Sequence, residues 1–586
     1  MSGPLSRCLV PASALTLLSL AAAPAQIAYT DLSHALELPY GRFRCVAAYD
    51  YDGDGRDDLL FGGEAGRLFL YRNRGDFDLV DVTEEALPEL PATDHYGGAV
   101  FGDLDGDGLA DLVLGGRPSP PRVLRQRPDH TFEDVTAESG VRASDRTLSL
   151  HLADIDGDGR LDIYIALLNA RNKLFRNLGG LRFAEEAEAR GAEDDNVSMG
   201  AIATDYDRDG DVDLYLTHDA DRPNLLLDND GTGHFRNLAV VRGVAVAANG
   251  MGVDVADVDA DGMPDLYVTN LYENSLLLSG GRFPRWYRDE AVPRRAEERG
   301  MSWGVRVFDA DHDGRLDIYV ANETYFRVDG RDRDNVMYRG LPDGSYEDVA
   351  AGALLSPYND FGMATADFDN DGDLDLAIAT SGGDGCQVFR NDSRGGSAVV
   401  VRTGLHNAQA TAYYGRGRAQ WAETHGGSGF AGQSAGMWHF GIADAAQVDS
   451  LVVETTAGQR EVFYDLAAGG EFRYDTLGGL RPVELASATA VGRTPDITFG
   501  PNPTEGSVTA VLPRSVSSPT AGSGQAGQAS GRWFYDVRDL TGRTLLRGTA
   551  EAQLSLDFGP LPSGTYVIEL KSWGGELVVV ERVVKY

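Results

Sequence analysis

Cysteine is scarce in this chain, with three residues among 586. Cys8 is not placed like a lipobox cysteine, which argues against a lipoprotein. The ten histidines form no H-E-x-x-H motif and no paired zinc spacing, and there is no Walker loop. Basic charge is also short. The 52 Lys and Arg residues face 90 Asp and Glu residues, and the net charge of −38 argues against nucleic acid as a partner.

Long apolar runs are missing after residue 25, so the sequence predicts no transmembrane segment. The first 25 residues predict a secretory signal peptide. Arg7 is its basic residue, the stretch from 9 to 22 is apolar, and Ala23-Pro24-Ala25 is a small-residue cleavage site before Gln26.

One acidic loop of the pattern D-x-D-x-D-G-x-x-D occurs seven times. Its copies begin at Asp50, Asp103, Asp154, Asp205, Asp257, Asp309 and Asp367. The steps between copies are 53, 51, 51, 52, 52 and 58 residues. A nearly fixed period of this length indicates a repeat architecture.

The loop has the chemistry of a calcium site. Calcium takes roughly six to eight oxygen ligands, and carboxylates at loop positions 1, 3, 5 and 9 with a backbone carbonyl at position 7 supply them. Position 6 needs a sharp turn, which glycine adopts without strain. The predicted ligands are, loop by loop, Asp50, Asp52, Asp54, Arg56 and Asp58; Asp103, Asp105, Asp107, Leu109 and Asp111; Asp154, Asp156, Asp158, Arg160 and Asp162; Asp205, Asp207, Asp209, Asp211 and Asp213; Asp257, Asp259, Asp261, Met263 and Asp265; Asp309, Asp311, Asp313, Arg315 and Asp317; Asp367, Asp369, Asp371, Asp373 and Asp375.

The sequence argues against two other interpretations of the loop. An EF-hand needs a glutamate at position 12, and this position is apolar in every copy: Phe61, Leu114, Ile165, Leu216, Val268, Val320 and Ile378. A metal-free turn needs no crowd of four carboxylates, since like charges repel at short distance. We therefore expect about seven Ca²⁺ ions, one per loop, with a mainly structural role; the alternative role is a direct bridge to a ligand.

Each repeat contains four strand-like stretches, one of which directly follows the loop. Four strands in about fifty residues are typical of one blade of a β-propeller. The sequence thus predicts an all-β chain, with a seven-bladed β-propeller carrying calcium loops, then a small β-rich module and a C-terminal β-sandwich. Residues 27–32 are expected to supply the outer strand of the last blade, which would remove a free sheet edge. Cys45 and Cys386 would then lie in neighbouring blades, either as a disulfide or as two buried thiols.

Five segments follow from these patterns. Residues 1–25 are the signal peptide, 26–393 the propeller, 394–480 the β-rich module, 481–495 a linker and 496–586 the C-terminal domain.

The repeats resemble FG-GAP/VCBS repeats, the calcium-loop blades of integrin α-like propellers. The module resembles an ASPIC/UnbV domain through Gly427-Ser428-Gly429-Phe430 and Phe440-Gly441-Ile442. It departs from that family at Thr455-Thr456-Ala457-Gly458, where the family usually has a Trp-Pro-Ser-Gly turn.

The C-terminal domain resembles a type A sorting domain of the type IX secretion system. The resemblance rests on Phe499-Gly500-Pro501-Asn502-Pro503, on residues 535–543 and 561–566, and on the basic end around Lys585. It implies export to the periplasm and then across the outer membrane. An ordinary β-sandwich is the alternative.

The function expected from these patterns is a secreted or cell-surface calcium-binding module for adhesion to a glycan or protein, not an enzyme. The alternatives are a propeller enzyme acting on extracellular polysaccharide and a structural surface-layer component. Gly432-Gln433-Ser434-Ala435-Gly436 matches G-x-S-x-G, but a nucleophile elbow needs an α/β context that this chain lacks. The expected ligand face is the one opposite the loops. Its candidate residues are Asn169, Asn172, Asn270, Tyr272, Asn322, Tyr325 and Phe326.

Overall fold

The computed structural model describes residues 26–483 apart from 118, 281–286, 325–333, 383–384 and 416, together with strand backbones between 498 and 585. The segment predicted as a signal peptide lies outside the described residues. The chain divides into two compact units, Met1–Glu484 and Leu485–Tyr586.

The described part of the first unit contains seven sets of four antiparallel strands, here called repeats 1 to 7 and treated below as one sheet each. Pairing between the second strand of repeat 5 and the first strand of repeat 6 joins these two repeats into one eight-stranded sheet. The first strands are Phe43–Tyr49, Tyr96–Gly102, Thr147–Ala153, Ser198–Thr204, Gly250–Ala256, Arg299–Phe308 and Asn359–Ala366. The second strands are Asp58–Gly63, Asp111–Gly116, Asp162–Leu167, Asp213–His218, Asp265–Glu273, Asp317–Asn322 and Asp375–Ser381. The third strands are Leu68–Asn73, Arg122–Gln126, Lys173–Asn177, Leu225–Asn229, Ser275–Leu278, Val336–Gly340 and Gln387–Asn391. The fourth strands are Leu79–Asp81, Phe132–Asp134, Phe183–Glu185, Phe235–Asn237, Arg288–Asp289, Tyr346–Asp348 and Tyr29–Asp31.

The second strands are buried on both faces because each sheet lies between two others. In repeat 3, Ile163 and Ile165 pack into one apolar cluster with Val100 of repeat 2. The alternating residue Tyr164 packs into another cluster with Leu214 of repeat 4. Successive side chains of a strand point to opposite faces, so one β-branched and aromatic strand serves two interfaces.

The seven sheets form a closed series. The first strand of each repeat packs beside the first strand of the next, and that of repeat 7 packs beside that of repeat 1. The outer strand of repeat 7 comes from the N-terminal segment, where Tyr29–Asp31 pairs antiparallel with Gln387–Asn391. The arrangement is consistent with a β-propeller, and we call it the ring.

Helices are few and short in the described residues. They are Thr83–Ala86, Thr136–Ser139, Ala187–Arg190, Ala239–Arg242 and Ala291–Arg294, with one 3₁₀ turn at Gly352–Leu354. None of the helices that the structure describes is long or apolar enough to cross a bilayer.

The module after the ring is a pair of four-stranded sheets. One contains Met437–Ala443, Ser397–Arg402, Glu471–Asp475 and Gly479–Pro482, and the other contains Arg418–Glu423, Gln409–Tyr414, Gln447–Glu454 and Arg460–Ala467. Trp438, Val399 and Leu451 belong to the apolar core between them. Its last strand runs past the boundary expected at residue 480.

A loop of this module enters the middle of the ring. We call residues 426–435 the axial loop. Its short strand Gly432–Gln433 pairs parallel with Phe43–Tyr49, and the Leu152 amide donates to the Gly426 carbonyl at 2.8 Å. The Gln433 side chain accepts from the Phe101 amide at 2.7 Å and donates to the Phe101 carbonyl at 2.9 Å.

Glycine is required where the axial loop touches the ring. A Cβ on Gly426 would lie 2.1 Å from the Leu152 carbonyl oxygen, and one on Gly432 would lie 2.3 Å from that of Met363. Ser434 is the centre of the G-x-S-x-G motif. Its hydroxyl accepts from the Thr365 amide at 3.0 Å, and the motif leads into a strand rather than a helix.

The second unit is described as strand backbones alone. One sheet contains Thr498–Phe499, Ser507–Val511 and Gln553–Asp557. The other contains Thr544–Ala550, Trp533–Asp539, Gly564–Ser572 and Leu577–Lys585. Most of the motif at 499–503 lies outside the described residues.

Candidate metal centres

The acidic loops join the first and second strands of the repeats, and they bring carboxylates from three loop positions together. In repeats 1 to 5 the grouped residues are Asp50, Asp52 and Asp58; Asp103, Asp105 and Asp111; Asp154, Asp156 and Asp162; Asp205, Asp207 and Asp213; Asp257, Asp259 and Asp265. Within each group the oxygens lie within 4.8 Å of one another. These are positions 1, 3 and 9 of the predicted ligand set.

The loop backbone is shaped by two of its own carboxylates. In repeat 3 the Gly159 amide donates to Asp154 at 2.9 Å, and the Arg160 amide donates to Asp158 at 3.1 Å. The same two bonds, from position 6 to position 1 and from position 7 to position 5, occur in all seven loops. Position 5 therefore stands outside the three-carboxylate group and secures the turn.

The carboxylate at position 9 connects the loop to two strands. Asp162 begins the second strand of repeat 3, accepts from the Asn177 amide at the end of the third strand at 2.6 Å and accepts from the Ile155 amide at 3.3 Å. A cation bound by this carboxylate would therefore connect the acidic loop to the second and third strands of its sheet.

An amide side chain at the end of the third strand joins neighbouring repeats, a role that the sequence analysis missed. Asn177 donates to the carbonyl of Leu104, at position 2 of the preceding loop, at 2.8 Å. Asn73, Gln126, Asn229 and Asn391 make the corresponding bond in their repeats. The signal was present in the sequence as an amide residue at the same place in most third strands.

Burial makes the negative charge of these carboxylates unfavourable when no cation is bound. It raises the pKa of Asp162 and of Asp265 to about 8 and that of Asp111 to about 7, and neighbouring loop carboxylates add to the rise. The pKa values of Asp213 and Asp375 are raised well above their usual range for the same reason. Loss of solvation and like-charge repulsion both favour the protonated form.

Several of these carboxylate oxygens are buried and accept no hydrogen bond. They are Asp50 Oδ1, Asp105 Oδ1, Asp156 Oδ1, Asp257 Oδ1, Asp311 Oδ1 and Asp369 Oδ1. A buried anionic oxygen without a donor is costly unless a cation is coordinated. The donor set is made entirely of oxygen, which suits a hard cation such as Ca²⁺. The residues present therefore fit the expected ion.

Arginines on the third strands hold the carboxylates at position 3 from outside. Arg72 Nε lies 2.9 Å from Asp52, and Arg339 Nε lies 2.8 Å from Asp311. These pairs leave the inner oxygen of Asp311 free for a cation. They also orient the carboxylate before an ion arrives.

The module covers the face of the ring that carries the acidic loops. Gln409 donates to Asp205 in the loop of repeat 4 at 3.0 Å, and His439 contacts the Gly372 carbonyl in repeat 7 at 3.0 Å. The Arg402 guanidinium is buried and pairs with Asp57 of repeat 1 and, at 3.5 Å, with Asp367 of repeat 7. This arginine bridges the first and last repeats where the ring closes.

The opposite face carries the other connections between strands, and three predicted ligand residues there are wrong. Asn172, Asn270 and Asn322 are fully buried. Their side-chain amides form hydrogen bonds within the protein; Asn172, for example, donates to the Ser198 hydroxyl at 2.8 Å. Each of these side chains stabilises the connection after the second strand of its own repeat. Asn169 is exposed.

Tyr272 is also exposed on this face, with 52% of its surface accessible to solvent. Its φ is +83°, an uncommon backbone conformation for an aromatic residue. Tyr325 and Phe326 lie outside the described residues.

The two cysteines of the described chain are unbonded and buried. Cys45 lies in the first strand of repeat 1, and burial raises its pKa to about 12. Of the two alternatives drawn from the sequence, the structure has two buried thiols.

The structure defines a propeller-like repeat protein. Its four-stranded sheets carry an acidic loop between their first two strands, and a β-sandwich is docked on the face that carries these loops. Comparison with protein families agrees with this class. The FG-GAP-like repeat family matches residues 50–114, 103–165, 205–268 and 309–378. The ASPIC and UnbV family matches residues 402–475. The chain therefore contains FG-GAP-like repeats followed by an ASPIC and UnbV domain.

The chain is also similar to individual proteins. The chain is 27% identical to cartilage acidic protein 1 of Mus musculus over 458 residues, covering 70% of this chain and 69% of the mouse protein. It is 27% identical to the Homo sapiens protein of the same name over 461 residues, covering 70% and 68%. It is 30% identical to integrin alpha-4 of Xenopus laevis over 145 residues, covering 20% of this chain and 14% of that protein.

Proposed function

We propose that this protein is a secreted or cell-surface calcium-binding module that binds a glycan or protein ligand on the ring face opposite the acidic loops. The observation that carries the proposal is the docking of residues 397–482 on the loop face. Gln409 and Arg402 contact loops there, and the axial loop fills the centre of the ring. The opposite face is left for a partner.

We further propose that Ca²⁺ occupies the acidic loops. The support is the convergence of three carboxylates in each group and the buried oxygens that accept no hydrogen bond. Calcium bound at positions 1, 3 and 9 would offset part of the negative charge of the loop and join the first strand to the second. Its role in ligand binding is then indirect, because it makes the ring rigid.

Export by the type IX secretion system is the proposed route to the cell surface. Its support is the N-terminal signal pattern and the C-terminal marks in the sequence, including Leu561-Pro562-Ser563-Gly564. Truncation after Leu485 should leave the ring folded and trap the protein in the periplasm. Surface display of this truncated chain at the normal level would refute the assignment.

The ligand proposal is tested by binding of the calcium-loaded chain to an array of polysaccharides and matrix proteins, with an EGTA control. Tyr272→Ala should weaken any binding, because this side chain is half exposed on the opposite face. Tyr464→Ala is the matched control, since Tyr464 is 69% exposed on a module strand. Equal losses in both variants, or a blank array, would contradict a ligand site on this face.

A further inference from the structure

Two arginines lie at the mouth of the ring on the face opposite the acidic loops. Arg44 is near the start of the first strand of repeat 1, and Arg117 directly follows the second strand of repeat 2. Because the acidic loop links the end of each first strand to the start of the second, both arginines belong to the opposite face. The Arg44 guanidinium lies 3.8 Å from the centre of the Phe361 ring.

Neither guanidinium has a carboxylate partner within ion-pair distance among the residues that the structure describes. Arg44 Nε is buried and has no hydrogen-bond acceptor there. Arg117 is the neighbouring charge that most strongly opposes protonation of Arg44, and Arg146 does the same for Arg117. Burial, followed by this repulsion, lowers the pKa of Arg44 to about 10, so it remains charged at neutral pH.

Two carboxylates, Glu64 and Glu323, act on the charge of Arg44, and both already have partners. Glu64 lies 3.6 Å from Arg42, and Glu323 accepts from the Trp303 indole at 3.2 Å. Both follow second strands and therefore belong to the same face. Among the residues that the structure describes, Arg42, Arg44, Arg117 and Arg146 with Glu64 and Glu323 give a charge of about +2, counting full charges at neutral pH. The net charge of the whole chain is −38.

The floor beneath the arginines is apolar and aromatic. The Phe361 ring lies 5.1 Å from Trp303, and Trp303 lies 4.8 Å from Phe430 at the tip of the axial loop. Met199 and Met251 belong to the same apolar cluster. A charge beside such a floor is poorly solvated, so its attraction for an anion is stronger than in open water.

We propose that this mouth binds the carboxylate of a uronate sugar in an acidic polysaccharide. The inference rests on the proposed function and names the ligand class for that face. An arginine fork forms paired hydrogen bonds with a planar carboxylate. The neighbouring Glu64 and Glu323 can accept hydrogen bonds from sugar hydroxyls, which carry no charge. A peptide of glutamates carries the same carboxylates as a uronate oligomer but has no hydroxyl groups to donate to Glu64 and Glu323.

The test is calorimetric titration of the full chain with an oligomer of six galacturonate units. The protein is loaded with calcium and freed of excess ion, because uronates bind calcium themselves. Maltohexaose is the neutral probe, and hexaglutamate is the acidic peptide probe. We expect galacturonate to bind, and Arg44→Gln with Arg117→Gln to weaken it by about tenfold or more, as removal of charged hydrogen bonds does. Arg171→Gln is the matched control, because Arg171 is exposed and pairs with Glu193 on the same face.

Several results would overturn the inference. These are equal binding of maltohexaose, binding of hexaglutamate alone, no binding of galacturonate, or an equal loss in Arg171→Gln. If the double variant does not fold, Arg117→Gln alone is measured, and unchanged affinity in this variant counts against the site. A failure here with a positive ligand array refutes the uronate site and leaves the proposed function standing. A blank array as well refutes both.

Discussion

Calcium removal should lower the thermal stability of the ring by a large amount. In each loop, position 9 connects two strands, as Asp162 does through the Asn177 amide at 2.6 Å. Without the ion, this buried carboxylate faces Asp156 and Asp154 with no neutralising charge. We therefore expect a metal-free chain of residues 26–484 to melt well below the calcium-loaded chain.

The size of the effect follows from linkage. At a calcium concentration one hundred times the dissociation constant, each site stabilises the folded state by about 2.7 kcal/mol, and seven sites by about 19 kcal/mol. With an unfolding entropy of about 2.1 cal/mol/K per residue, the chain of residues 26–484 loses about 1 kcal/mol of its free energy of unfolding for each degree of heating near the Tm. The Tm should therefore fall by about 20 °C.

Differential scanning calorimetry in calcium, in magnesium and in EGTA measures this difference. In calcium, the Tm of the Asp162→Asn variant should lie about 3 °C or more below that of the unsubstituted chain, because one of the proposed sites is damaged. Asp195→Asn is the matched control, since Asp195 is an exposed carboxylate outside the loops. A melt in EGTA within about 2 °C of the melt in calcium would refute the structural role of the ion.

Three further outcomes are expected. For the metal-free protein, the free energy of unfolding by urea should fall as pH rises from about 4 to about 8. The reason is that the raised pKa of Asp162, about 8, keeps a proton on this carboxylate in the folded chain but not in the unfolded chain. A free energy of unfolding that does not change with pH would contradict this. Arg402→Met should destabilise the chain by about 3–5 kcal/mol because it leaves buried carboxylates unpaired, whereas Arg460→Met, at an exposed pair, should cost about 1 kcal/mol or less. Phe430→Ala should lower the free energy of unfolding in urea by about 3–5 kcal/mol. Leu477→Ala is the control, because the Leu477 side chain is 99% exposed. An equal or smaller decrease in Phe430→Ala than in Leu477→Ala would show that the axial loop is not packed as described.

The repeats and their acidic loops could be predicted from the sequence because the determinants are local. Nine consecutive residues carry the carboxylates and the glycine of each loop, and the apolar strand follows directly, as Asp162 is followed by Ile163 and Tyr164. The period of the loops then predicts the repeated sheets. The sequence also predicts the third strand. It does not predict the bond from Asn177 to the preceding repeat, because that bond depends on how two sheets lie side by side.

The site assignments on the opposite face show where sequence patterns fail. Asn172 follows the second strand of repeat 3 and Tyr272 lies near the end of the second strand of repeat 5, and polarity alone does not distinguish them. In the folded chain Asn172 turns inward to close its connection, whereas Tyr272 stays half exposed. A polar loop side chain is buried when it forms hydrogen bonds with backbone groups that would otherwise have no partner. Which backbone groups lack a partner depends on how the connection folds.

By itself, the amino-acid sequence determined the all-β class, the sevenfold acidic loop and the presence of an ASPIC and UnbV domain after the repeats. Tertiary structure alone decided that the module covers the loop face and that residues 426–435 fill the centre of the ring. These contacts join residues far apart in the chain, such as Gln433 and Phe101, and no periodic pattern encodes them. Their partners are mostly backbone groups, which every residue carries, so the pairing becomes specific only when the folded ring brings those groups into reach.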